Sequence, residues 1–116
     1  MAWSRTERPH LTPGWLSPVT VTLLYIDGCP HWTILDERLR AALHRTGRRE
    51  EVVRRRLDTI EDAEAVGFAG SPTILIDGRD PFADPATPPS LSCRLYRTPG
   101  GPAGSPTVDQ LVEALR

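Results

Sequence analysis

Lysine is absent from this chain of 116 residues, and all fourteen of its basic side chains are arginine. Schiff-base chemistry and a Walker-type phosphate loop both need a lysine ammonium, so both are excluded. Cysteine is scarce as well, limited to Cys29 and Cys93. Two thiols are too few for a disulfide-scaffolded miniprotein or a four-thiolate zinc site, yet enough for a redox pair. An excess of one charge sign is also missing. Fourteen basic residues against fifteen acidic ones leave a formal charge of -1, so no basic field marks a nucleic-acid partner. Long apolar runs are missing too. The longest, Val19 to Ile26, falls far short of the roughly 20 residues that cross a bilayer. Met1 to Trp15 carries Arg5, Glu7, Arg8, Pro9 and His10 where a signal peptide would be apolar. The expectation is a cytoplasmic protein with no membrane or nucleic-acid partner, in a compartment where disulfides are usually transient.

What remains is 39% hydrophobic and 25% charged, enough for one modest core. Residues 1–18, broken by Pro9, Pro13, Gly14 and Pro18, read as an irregular arm that Trp3 or Trp15 anchors in part. Residues 19–116 read as a single α/β domain in the order β-α-β-α-β-β-α, with a central mixed sheet of about four strands. Val19 to Ile26 is apolar on both faces, as a central strand covered on both sides requires. A helix follows from Pro30 to Thr46, with Cys29 at its cap and a stripe of Leu35, Leu39, Ala42 and Leu43. Glu51 to Leu57 is a weaker strand, interrupted by Arg54, Arg55 and Arg56. Asp58 and Glu61 have capping-box spacing and open a short helix through Val66, which Gly67 stops. Ser71 to Ile76 reads as a strand ending in an Asp77-Gly78 turn. Leu91 to Arg97 is the one plausible strand in a stretch, residues 81–106, that holds seven of the twelve prolines. Thr107 and Gln110 cap a last helix through Val108, Leu111, Val112 and Leu115.

The chemistry concentrates around Cys29-Pro30-His31-Trp32. A cysteine between a strand and a helix start meets unpaired backbone N–H groups, which stabilise a thiolate. His31 in the first turn adds positive charge when protonated. The competing reading is a small buried hydrophobe at an element boundary. Trp32 either covers Cys29, stacks on a bound partner, or packs beside the apolar stripe. Gly70-Ser71-Pro72-Thr73 supplies a second piece, a proline at a strand start. Glu50 and Glu51 lie between the arginines at 48 and 49 and those at 54, 55 and 56, and Asp58 follows closely, as on a solvated, internally compensated face; an anion-holding patch is the alternative.

Taken together, these two pieces resemble the thioredoxin-fold superfamily over about residues 19–116. Cys29-Pro30-His31-Trp32 resembles its Cys-x-x-Cys turn, with the Pro-His interior of the bacterial disulfide-forming oxidases. Gly70-Ser71-Pro72-Thr73 resembles its cis-proline loop. The chain is also similar to small actinobacterial-type thioredoxin-family proteins, sometimes labelled alkylmercury-lyase-like. The resemblance implies that Cys29 is the attacking thiol and Pro72 a cis-proline. It also implies that Ser71 offers backbone hydrogen bonds to a bound thiol partner, with Pro30 and Trp32 as further positioning candidates. Trp32 stands where that family has its resolving cysteine. Resolution therefore falls to an external thiol, as in monothiol chemistry, or to Cys93. Cys93 lies 64 positions downstream in a predicted strand, where a packed core residue is the simpler account. A bridge to Cys29 needs Cα atoms within roughly 7 Å. Closing so long a loop contributes about 4 kcal/mol in the chain-entropy model.

The expected function is thiol–disulfide exchange through a Cys29 thiolate, with His31 and Cys93 as the other candidate catalytic residues. The partner is a thiol or disulfide, either a protein or a low-molecular-weight thiol. One alternative is a non-catalytic binding module that kept the fold. The other is a soft-metal or organomercurial thiol-binding protein, since Cys29, His31 and Cys93 are soft donors. A cysteine and a histidine two positions apart converge on one ion only with strain, so no metal or other cofactor is expected.

Overall fold

Alternation along the first strand places it at the centre of the molecule. The computed structural model describes residues 18–84 and 86–116, and in it β1 (Val21–Tyr25) is flanked on both sides. The arm expected over residues 1–18, with Trp3 and Trp15, lies outside the described residues except for Pro18. After β1 come α1 (His31–Arg45), β2 (Val52–Arg56), α2 (Ile60–Val66), β3 (Ala69–Ser71) and β4 (Thr73–Ile76). The chain continues through β5 (Ser90–Cys93), β6 (Tyr96–Thr98), β7 (Gly101–Ala103) and α3 (Val108–Ala114).

The result is a small mixed α/β fold with three helices and a mixed three-stranded sheet in the order β2-β1-β4. β1 runs parallel to β2, with Val21 opposite Val52, and antiparallel to β4, with Val21 opposite Ile76. Val21 and Leu23 enter a core with Leu35, Leu39, Leu43, Ile74, Leu111 and Leu115, which joins α1 and α3 to one face of the sheet. Leu24 points the other way, into a smaller core with Leu57, Ala63 and Phe68 beneath α2. This two-sided burial is what the period-two reading of the strand required. Each fully buried leucine of this kind contributes about 1.5–3 kcal/mol.

Three expectations about the elements need correction. The central sheet has three strands, not about four. The predicted strand at Ser71–Ile76 is cut at Pro72, which has no N–H for a ladder, so β3 and β4 belong to different sheets. The predicted strand at Leu91–Arg97 also divides. Its first part, β5, pairs in parallel with β3, and its second part, β6, forms an antiparallel hairpin with β7. Between them Arg94 turns inward and Leu95 is 72% exposed.

Two helix N-caps fall one residue later than expected. Pro30 rather than Cys29 occupies the cap of α1, and Thr59 rather than Asp58 caps α2, its side chain accepting from Asp62 N–H. The capping box of α3, with Thr107 and Gln110 reciprocally bonded, is complete. No helix among the described residues is long and apolar enough to cross a membrane.

Candidate thiol site

Gly28, with φ 80°, turns the chain from β1 toward α1 and delivers Cys29 inward. Cys29 is only 4% exposed. Its Sγ donates to the Ser71 carbonyl oxygen at 3.7 Å. Ser71, itself fully buried, binds three parts of the site together. Its Oγ accepts from Ile26 N–H at the end of β1, and its carbonyl oxygen accepts from Arg94 N–H at 2.9 Å as well as from Cys29. That carbonyl is thus engaged within the chain. The Ser71–Pro72 peptide bond is cis.

Cys93 stands opposite Ser71 in the β3–β5 register. The strand therefore carries Cys93 to the backbone position whose carbonyl holds Cys29. The Cys93 thiol is pushed above its ordinary range, first by lost hydration. The charge of a Cys29 thiolate adds to this, as does Cys29 acting as a hydrogen-bonding partner for the Cys93 proton. Both thiols are free in this structure; Cys29 is buried and Cys93 exposed. The exposure of Cys93 corrects the expectation of a packed core residue there. Cys93 falls at the end of β5, where the strand leaves its partner, rather than in a continuous strand facing the core.

The parallel pair stays close because residue 70 is glycine. A Cβ there would lie 2.9 Å from Arg94 Cβ, and the backbone has φ 117°, a conformation that L side chains rarely adopt. Arg94 is then locked from several sides. Its guanidinium donates to Asp80 at 2.6 Å, to Thr73 Oγ1 at 3.1 Å and to the Phe82 carbonyl at 2.6 Å. It also lies 4.4 Å from the centroid of the Tyr96 ring. Tyr96, 3% exposed, donates its hydroxyl proton to the Pro72 carbonyl and meets Phe82 edge-on. Its phenol is held well above the usual range, chiefly by burial; nearby Arg94 opposes the rise, while Asp80 and Cys29 add to it.

Arg94, Asp80 and Tyr96 escaped the sequence reading. One signal was present: an arginine directly after a strand cysteine, in an otherwise apolar stretch, calls for a carboxylate partner.

The remaining candidates divide between site and scaffold. The ring of Trp32 stacks on Tyr25 with centroids 4.4 Å apart, and Trp32 packs against the larger core. The ring of His31 packs against the backbone at Gly104, where a Cβ would lie 2.5 Å from its Cγ and Nδ1. Pro30 caps α1, and Pro72 is buried beneath Tyr96. The arginine-rich strand is compensated by carboxylates: Arg54 and Arg40 both pair with Asp36, and Arg56 pairs with Asp58. Among the described residues no cluster of three or more His, Cys, Asp or Glu side chains is placed to hold a metal ion.

Neither a family model, nor a curated protein, nor a solved structure matches the chain.

Proposed function

We propose that the protein is a thiol–disulfide oxidoreductase whose working unit is the pair Cys29 and Cys93, on a fold related to thioredoxin. The observation that carries this reading is the convergence of a buried thiol and an exposed one on Ser71, whose carbonyl holds Cys29 and whose strand partner is Cys93. A glycine, a register match and a locked arginine support this convergence of two thiols separated by 64 positions. The order β1-α1-β2, the junction position of Cys29 and the Pro72 turn support the thioredoxin-like assignment.

The accessible sulfur attacks first. The Cys93 thiolate displaces one sulfur of a substrate disulfide, forming a mixed disulfide and releasing one thiolate, which takes a proton from water. Cys29, having lost its proton, then attacks the Cys93 sulfur. This forms the Cys29–Cys93 disulfide and releases the second substrate thiol. Two electrons and two protons pass from the protein to the substrate, and an external thiol returns the protein to its dithiol form. The role assigned to Cys29 thereby becomes resolution, and the resolving cysteine missing at Trp32 is supplied from β5.

The test is a single turnover of the reduced protein with bis(2-hydroxyethyl) disulfide, followed by intact mass under denaturing conditions. The expected product has lost two hydrogens and resists alkylation at both cysteines. Cys29→Ser stops at a stable mixed disulfide on Cys93. Retention of two free thiols by the folded wild type overturns the reading.

A further inference from the structure

Cys93 opens into a groove of about 850 Å³ formed by β5, the Tyr96 turn and the segment around Phe82. That volume falls within the range of small-molecule sites. Cys93, Leu95, Tyr96, Arg97, Phe82 and Asp84 are among its lining residues. Two opposite charges therefore share a groove with the exposed thiol. Arg94 also lines it, but its charge is already taken by Asp80. Arg97 is different: its side chain is exposed, and among the described residues its guanidinium has no ion-pair partner. The Asp84 side chain is likewise exposed, with one carboxylate oxygen accepting from Ala86 N–H.

We infer that this groove selects the disulfide on which Cys93 acts, and that its substrates are low-molecular-weight disulfides of amino-acid type. Such a molecule carries a carboxylate for the planar fork of Arg97 and an ammonium for Asp84, with its sulfur delivered to Cys93. An uncharged disulfide uses neither group, and a dication offers an ammonium to Asp84 but brings no carboxylate for Arg97. The inference rests on the exchange reaction proposed above and adds the substrate class.

The experiment is stopped-flow oxidation of the reduced protein by cystine, bis(2-hydroxyethyl) disulfide and cystamine. Each rate is divided by the rate of the same disulfide with dithiothreitol, which removes intrinsic reactivity. Cystine is expected to exceed the neutral disulfide by about tenfold after this correction, the size of one charge-assisted contact, and cystamine to fall below cystine. Arg97→Gln loses most of the cystine preference and leaves the neutral rate within about twofold, which also shows that the variant is folded. Arg97→Lys recovers part of the preference, because the charge remains without the fork. Equal corrected rates for the three disulfides, or equal slowing of all three in Arg97→Gln, overturn the substrate assignment while leaving exchange intact. Failure of the neutral disulfide to oxidise the wild type overturns exchange itself, and the substrate assignment with it.

Discussion

Ser71 and Cys93 face each other across the parallel pair β3 and β5, and the carbonyl of Ser71 holds the thiol of Cys29. One backbone position thereby fixes both sulfurs. The side chain of Ser71 anchors the same position to the end of β1 through Ile26 N–H, so the thiol pair is tied directly to the central sheet. β5 is held against β3 in turn by the close approach at Gly70 and by the Arg94 N–H to Ser71 bond.

Replacing Cys29 by alanine is expected to make Cys93 more reactive, not less. The raised pKa of Cys93 means that less thiolate is present at neutral pH than in an ordinary cysteine, and only the thiolate reacts. Two of its causes, the charge of Cys29 and the sulfur that holds the Cys93 proton, disappear in Cys29→Ala; the desolvation remains. The pKa then falls, and the thiolate fraction at pH 7.5 rises. Iodoacetamide alkylation of Cys93 at pH 7.5 should accelerate by roughly twofold or more, with the midpoint of the rate-against-pH curve moving downward. An unchanged midpoint would separate the two thiols.

The Arg94–Asp80 pair should matter for both stability and exchange. Its side chains are 9% and 11% exposed, so removing one partner strands a desolvated charge. Asp80→Asn is expected to cost about 3 kcal/mol in urea unfolding. It should also slow closure of the Cys29–Cys93 disulfide, because the residue next to Cys93 is no longer clamped. Replacing Asp109, whose pair with Arg45 is exposed, should change stability by less than about 1 kcal/mol. A loss at Asp80 no larger than that at Asp109 contradicts the clamp.

The readability of the fold tracks the distance along the chain over which each feature is decided. β1 and the helices α1 and α3 were legible because a two-sided strand and an i, i+3, i+4, i+7 stripe are local patterns. The capping box of Thr107 and Gln110 is local in the same way. Cys29 and the Ser71-Pro72 turn stood out for similar reasons. The burial of the two cysteines did not, because it depends on where β5 leaves β3. That point is set by Arg94 turning toward Asp80, Thr73 and Phe82, partners 12 to 21 residues away. Tyr96 was missed for the same reason: its hydroxyl finds Pro72 only once β6 has folded back over the turn. Around the arginine-rich strand, the nearby Glu50, Glu51 and Asp58 made charge compensation readable, although the Arg54–Asp36 pair joins the strand to a helix.

Gly104 and His31 should behave as a coupled pair. A methyl group at position 104 would meet the imidazole at 2.5 to 2.8 Å, well inside normal contact. Gly104→Ala should therefore cost about 1–3 kcal/mol as an overpacking change. In a His31→Ala background the same substitution should cost under about 0.5 kcal/mol, since its obstacle is gone. Urea unfolding of the four proteins of this cycle measures the coupling. Additive costs would show that the ring of His31 does not rest on Gly104.

Comparison of the wild type with Tyr96→Phe reads Tyr96 cleanly at alkaline pH, because no lysine ammonium titrates above pH 9.5, the arginines stay charged and the raised Cys93 thiol is common to both proteins. The folded phenol of Tyr96 is raised above the unfolded value of about 10. Its contribution is therefore complete below about pH 10 and declines as pH rises further, since the unfolded chain releases a proton that the folded chain retains. Tyr96→Phe leaves Tyr25 and every other group in place. At pH 8 it should lose about 1 kcal/mol, because the buried Pro72 carbonyl loses its donor. Between pH 9.5 and 11 the variant should show a shallower decline of the urea midpoint, so that the two proteins converge. Parallel curves over that window would mean that the phenol ionises as readily in the folded protein as in the unfolded one, and that the Tyr96–Pro72 contact does not hold the turn beside Cys29.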